Sequence, residues 1–249
     1  MQITTVGVDL AKNVFQVHGV GEDGSVAFNR PLRRAQMLPF FAKLDPCLIG
    51  IEACGSSHYW ARQLTMLGHE VKLMPACYVK AYVKRGKSDA ADAAAICEAV
   101  TRPSMRFVAI KSQEQQAVLS QHRARQALIG QRTQLANMIR GLLAEFGITI
   151  QRGIDHLRHL AREMQAGELL DMPQTAEEVI ALLCDQLLDL DRRIARLDKA
   201  IRELARKDER AALLQTIPGT GLSRLVPLLR PSAVADSFEV PGTLRPGSA

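Results

Sequence analysis

Aromatic side chains are scarce, at 4 % of the 249 residues with a single tryptophan. Stacking on unpaired bases is therefore not favoured as the main mode of any nucleic-acid contact. Cysteine is little used: Cys47, Cys54, Cys77, Cys97 and Cys184 are scattered, odd in number and free of any CxxC pair. This argues against a disulfide framework and a cysteine-based zinc site, and it predicts reduced thiols in a cytoplasmic protein. No apolar run approaches the roughly 20 residues a membrane span needs. The opening MQITTVGVDLAKNV lacks a basic n-region, and Asp9 and Lys12 interrupt its apolar stretch, so no signal peptide is expected.

What is present is positive charge, unevenly spread. The formal net charge is +6. Residues 1–153 carry 19 Lys and Arg against 11 Asp and Glu, whereas residues 154–210 carry 10 against 13. A basic front half suits a polyanionic partner such as nucleic acid.

Apolar patterning divides the chain. Short β-branched runs at 3–8, 13–20 and 25–30, the second and third joined by GEDG, predict three strands linked by hairpins. A helical pattern over 33–44, a continuous apolar run CLIGIE at 47–52, a helix at 58–68, a strand at 70–74 and a helix from about 88 to 101 follow. That order predicts a mixed α/β sheet. After Pro103 no strand signal appears. Leu183, Leu187, Leu190, Ile194, Leu197, Ile201 and Leu204 form a heptad seam, and Ala124, Leu128, Gln131, Leu135, Met138 and Leu142 form a looser one. Two long helices joined by a glycine-containing connector over 147–175 predict an antiparallel hairpin with coiled-coil-like pairing. The IPGTG turn (217–221) and the proline-rich text after it carry no assignable period, and disorder is expected beyond about 222.

Four acids draw the chemical reading. Taken singly, Asp9 and Glu52 are ordinary strand-end carboxylates, and Asp89 and Asp92 suit the positive end of a helix capped by Ser88 or Asp89. Taken together, two sit at the ends of strands expected to be neighbours, and two share a helix face at i and i+3. The alanines 90, 91 and 93–95 let that helix lie close to a sheet. Four carboxylates meeting at one place repel one another and raise their own pKa values. A divalent cation relieves that cost, and oxygen-only ligation suits Mg²⁺ or Mn²⁺. The nearby cations Lys80, Lys84, Arg85 and Lys87, with Lys12, are the expected phosphate contacts, against the plainer reading of a solvated basic loop.

The motifs GVDLAKNVFQVHGV, IEACGSSHYWARQL, VKLMPACYVKAYVKRGKSDAADAAAICEAVTRP and EQQAVLSQHRARQALIGQRTQLANMIRGLLAEFGI resemble the DEDD transposases of the insertion sequence 110 family. The resemblance runs from about residue 3 to the IPGTG turn. It implies a ribonuclease-H-like, RuvC-type catalytic domain over 1–110, with the tetrad on Asp9, Glu52, Asp89 and Asp92. It further implies a helical oligomerisation region over 111–210 and the start of a C-terminal domain over 211–249. DNA recombination with Mg²⁺, a bridge RNA partner and dimers or tetramers assembled through the helices are the implied activity and partners. The family's C-terminal serine segment has no counterpart here, since Ser223, Ser232, Ser237 and Ser248 do not match it. The reading is therefore a C-terminally truncated copy, with no nucleophile assigned. A RuvC-like metal-dependent endonuclease and a noncatalytic nucleic-acid-binding fragment stay open as alternatives. An actin-like ATPase is disfavoured, because VDLAKNVF lacks the Gly/Thr-rich phosphate loop it needs.

Overall fold

In the computed structural model, which describes residues 2–82 and 88–207, the chain divides into two units between Ser112 and Gln113. In the first unit, strands β1 (Ile3–Asp9), β2 (Val14–Gly21), β3 (Val26–Arg33), β4 (Leu48–Glu52) and β5 (Glu70–Met74) form one sheet in the order β3-β2-β1-β4-β5. β2 runs antiparallel to both β1 and β3, while β4 is parallel to β1 and β5 to β4. The β2–β3 turn forms as GEDG predicts. Gly24 takes φ 76°, and the Asp23 carboxylate accepts from the Ser25 N–H at 3.0 Å.

Period-two alternation sorts the two faces of the sheet. Val6, Val8, Phe15, Val17, Ile49 and Ile51 pack in one apolar cluster with α1 (Met37–Phe41) and with Trp60 and Leu64 of α2 (Ser57–Met66). Gly7 and Gly50 occupy alternate positions and face α4 (Asp89–Val100). A short α3 (Ala76–Val79) follows β5. The helix expected over 33–44 begins later, because the β2–β3 ladder continues to the Val14–Arg33 pair and the Arg34 N–H donates to the Asn13 carbonyl. A 3-10 turn, Arg34–Gln36, then leads into α1.

The second unit is helical: α5 (Gln113–Ala144), α6 (Ile154–Gln165) and α7 (Gln174–Lys207). Leu135, Ile139, Leu143, Leu157, Leu160, Ile180, Cys184, Leu187 and Leu190 form its core. The region expected to be a connector thus contains α6, which ends where Gly167 turns to φ 88°. None of the described helices is long and apolar enough to cross a membrane.

The seam expected on α7 largely holds, with Leu187, Leu190, Ile194 and Ile201 buried, whereas the one expected on α5 is partly out of phase. Ala124 and Gln131 are exposed, Met138 is 56 % exposed and Leu204 38 % exposed. The inward positions seven apart on α5 include Arg125, Arg132 and Ile139 instead. The two arginines pair with Asp198 and Asp191 of α7, the second pair at 2.9 Å. Seven residues forward on α5 correspond to seven residues back on α7. Charged residues at seam positions were invisible to a search for apolar periodicity. Asp191 also accepts from Arg158 of α6 at 2.6 and 2.9 Å. Burial alone would raise its pKa, but the Arg158 and Arg132 hydrogen bonds outweigh this and hold it below the usual value.

Candidate metal centre

Asp9 closes β1 and Glu52 closes β4. These strands are parallel neighbours whose last register pair is Val8–Ile51, one residue before each acid, so both carboxylates leave the sheet at the same end. The other two acids arrive on α4. Ser88 caps it, its side chain accepting from the Ala91 N–H at 3.3 Å, and Asp89 and Asp92 fill the first turn.

Two glycines bring α4 down onto the sheet. Gly7 and Gly50 are register partners on β1 and β4. A Cβ on Gly7 would stand 2.2 Å from the Ala93 carbonyl oxygen and 2.4 Å from the Cys97 nitrogen, and one on Gly50 2.8 Å from Val100 Cβ. Only a strand pair without side chains there lets the helix backbone approach so closely. Ala93 is buried at that contact, and Ala95 and Ala99 are buried in a cluster with Met74, Val79 and Val100.

The outcome is that Asp9, Asp89 and Asp92 offer carboxylate oxygens lying within 4.8 Å of one another. Glu52 is not a member of that tight group, although its charge is felt at Asp9. The Asp9 pKa is pushed up to about 6, first by burial and then by the negative charges of Asp92, Asp89 and Glu52. An all-oxygen donor set with mutually repelling charges is chemically suited to a hard divalent cation.

The surroundings contain a feature that sequence reading missed. Gln16 lies directly across the β1–β2 ladder from Asp9. Its amide donates to Asn29 Oδ1 at 2.7 Å, and the Asn29 amide reaches the Ala90 carbonyl at 3.5 Å. Polar contacts thus link the strand beside Asp9 to the first turn of α4. Only the antiparallel register could have exposed this link, since neither residue stands out in the text.

Of the expected phosphate contacts, Lys12 is exposed in the turn after β1, and Lys80 is exposed at the start of the 3-10 turn Lys80–Tyr82. Lys84, Arg85 and Lys87 lie outside the described residues, as do the IPGTG turn and the tail. Of the histidines singled out by their spacing or position, His18 and His58 are buried, and the exposed His159 pairs with Glu163 at 2.9 Å.

A family model described as a transposase, of the DEDD type named for IS110, matches residues 6–148. The chain belongs to the DEDD transposase family of insertion sequence 110. All four acids of the site fall inside the matched segment. The chain is 49 % identical over 222 residues to a probable family 20 transposase of Pseudomonas aeruginosa, covering 89 % of this chain and 66 % of that protein. It is 36 % identical over 219 residues to the transposase for insertion sequence element IS1328 of Yersinia enterocolitica, covering 88 % and 65 %. With the transposase for element IS1111A of Coxiella burnetii it shares 37 % identity over 219 residues, covering 88 % and 60 %. This DEDD family chain therefore spans between 60 and 66 % of the length of those relatives.

Proposed function

We propose that this protein is the metal-dependent recombinase of an insertion sequence, cleaving and transferring DNA strands at the acidic centre. The observation that carries the reading is the meeting of Asp9, Asp89 and Asp92 within 4.8 Å at the end of the sheet. Those three carboxylates hold Mg²⁺ or Mn²⁺, and Glu52 completes the tetrad from the neighbouring strand. A divalent ion bound there supplies Lewis-acid stabilisation of charge in phosphodiester chemistry. The central strand β1 fixes Asp9, and α4 orients Asp89 and Asp92 toward it. Lys12, Lys80, Lys84, Arg85 and Lys87 neutralise backbone phosphates.

The strand order β3-β2-β1-β4-β5, with its antiparallel first three strands, supports a ribonuclease-H-like, RuvC-type domain over 1–110. The opposed progression of the Arg125–Asp198 and Arg132–Asp191 pairs supports an antiparallel, coiled-coil-like hairpin within 111–210 as the oligomerisation region. Family membership supports DNA and a bridge RNA as partners and a dimer or tetramer as the assembly. Five free cysteines support the reducing cytoplasm as its compartment.

The test is a Mn²⁺ titration followed by electron paramagnetic resonance, run beside a DNA-binding assay. The unsubstituted chain is expected to bind Mn²⁺, and Asp9→Asn and Asp92→Asn to lose that binding while keeping affinity for DNA. Equal Mn²⁺ binding by all three proteins removes the metal centre and the reading with it.

A further inference from the structure

A second cluster of metal-ligating side chains lies in the helical unit, on α6. His156 and His159 stand three residues apart and Glu163 follows four residues later, so all three share one face of the helix. They open onto a cavity of about 590 Å³ that the loop residues Thr149 and Gln151 also line. Both histidines are exposed.

The two rings are held rather than loose. His159 Nδ1 stands 2.9 Å from Glu163 Oε1. With its hydrogen on Nδ1 donating to that carboxylate, the neutral ring keeps its lone pair on Nε2. A carboxylate behind an imidazole fixes the tautomer and raises the basicity of the other nitrogen, as it does around metal-binding histidines. The His156 ring lies against the N-cap residue Gly153, where an added Cβ would stand 3.6 Å from His156 Cδ2.

The surrounding charges favour a cation. Asp155 and Glu163 both line the cavity, and an anion there would face the two carboxylates. The nearby Arg158 guanidinium is already engaged by Asp155 and Asp191, at 2.6 Å in each case. Imidazole donors suit Zn²⁺, Co²⁺ or Ni²⁺, whereas Mg²⁺ prefers oxygen. Ligands at i and i+3 of one helix also occur in the Glu-x-x-His motif of carboxylate metal sites. Among the described residues, only the acidic group brings three ligand atoms within 4.8 Å of one another. On α6 the protein ligands are therefore the two histidines, with water completing the shell.

A plain i, i+4 pair on an exposed helix face is the simpler account of His159 and Glu163. It explains neither the second imidazole on the same face nor the concave, acid-lined setting. We propose that His156 and His159 bind one divalent ion of the zinc class at this cavity, with Glu163 holding His159 in the binding orientation. The inference goes beyond the recombinase reading and does not depend on it.

The experiment titrates Zn²⁺ by calorimetry into the full chain carrying Asp9→Asn and Asp92→Asn, so that the acidic centre does not compete. His156→Ala and His159→Ala, each added to that background, are expected to lose one equivalent of bound Zn²⁺. Glu163→Gln keeps both imidazoles and is expected to weaken that equivalent about tenfold or more, as for other partners behind a ligating histidine. Mg²⁺ is the control and is not expected to compete. Retention of the equivalent in either histidine variant overturns the proposal, as does competition by Mg²⁺. Unchanged affinity in Glu163→Gln also overturns it, because the oriented ring is what separates this site from an exposed helix pair. Far-UV circular dichroism of each variant checks that α6 is intact. Because the titrated chain lacks two aspartates of the acidic centre, failure here leaves the recombinase reading standing, and the reverse also holds.

Discussion

At the scale of single residues, Asp9 is the most perturbed acid at the proposed centre. Its pKa of about 6 stands above the ordinary 3.8 because burial and neighbouring acids favour the protonated form. Its contribution to folding stability is accordingly full below the ordinary value and is lost as pH rises through about 6. A cation reverses the preference, since it needs the ionised carboxylate and must displace the proton. Mn²⁺ affinity should therefore be about tenfold weaker at pH 5 than at pH 7, the change expected for one competing proton with a pKa near 6. Calorimetric titrations at the two pH values check this, and a flat profile would show that Asp9 is not a ligand. Asn29 acts one contact further away. Asn29→Ala removes the link from Gln16 to the Ala90 carbonyl and is expected to weaken Mn²⁺ binding a few-fold with little change in melting temperature, as suits two exposed hydrogen bonds, one of them long.

At the scale of elements, the site depends on how closely α4 approaches the sheet. Gly7→Ala would drive a methyl group to 2.2 Å from the Ala93 carbonyl oxygen, where backbone rather than a flexible side chain must yield. The expected result is destabilisation of about 2–3 kcal/mol and a matching loss of Mn²⁺ binding, because lifting α4 carries Asp89 and Asp92 away from Asp9. Chemical denaturation and the metal titration read the two effects. Wild-type metal affinity in a folded Gly7→Ala protein would refute the seating argument. Much of this element order was legible beforehand. Short β-branched and apolar runs marked the five strands, and Ser88 followed by alanines marked the start of α4. The paired glycines were not legible as a groove, because nothing in a linear text shows that Gly7 and Gly50 are neighbours across a parallel ladder. The α7 seam was legible in Leu187, Leu190, Ile194 and Ile201, but the α5 seam was partly misread for a different reason. Arg125, Arg132, Asp191 and Asp198 satisfy one another in the packed seam, so an apolar count slides to the adjacent phase. Glu52 illustrates a further limit: its strand end was predictable, but its separation from the three-aspartate group depends on side-chain geometry.

At the scale of the whole molecule, each unit owns a separate apolar core, one built around the sheet and the other around α5, α6 and α7. Separate cores predict separate unfolding. The protein supplies a natural probe for each. Trp60, the single tryptophan, is 4 % exposed in the sheet unit, while the 32 residues of α5 and 34 of α7 dominate helical ellipticity. Asp191→Ala leaves Arg132 and Arg158 without their shared acceptor in a site where these side chains are 19 and 28 % exposed. The cost should be about 2–3 kcal/mol, less than for a fully buried pair because solvent reaches these groups. That corresponds to a fall of roughly 10 °C in the ellipticity transition. The tryptophan fluorescence transition should stay where it was. Because the Asp191 pKa is depressed, its stabilisation is present above the ordinary carboxylate value and is lost as pH falls through its lowered one. Acid should therefore narrow the gap between variant and unsubstituted protein. A common shift of both probes in Asp191→Ala would mean that the two units melt as one, and that the helical layer supports the fold of the acidic centre directly.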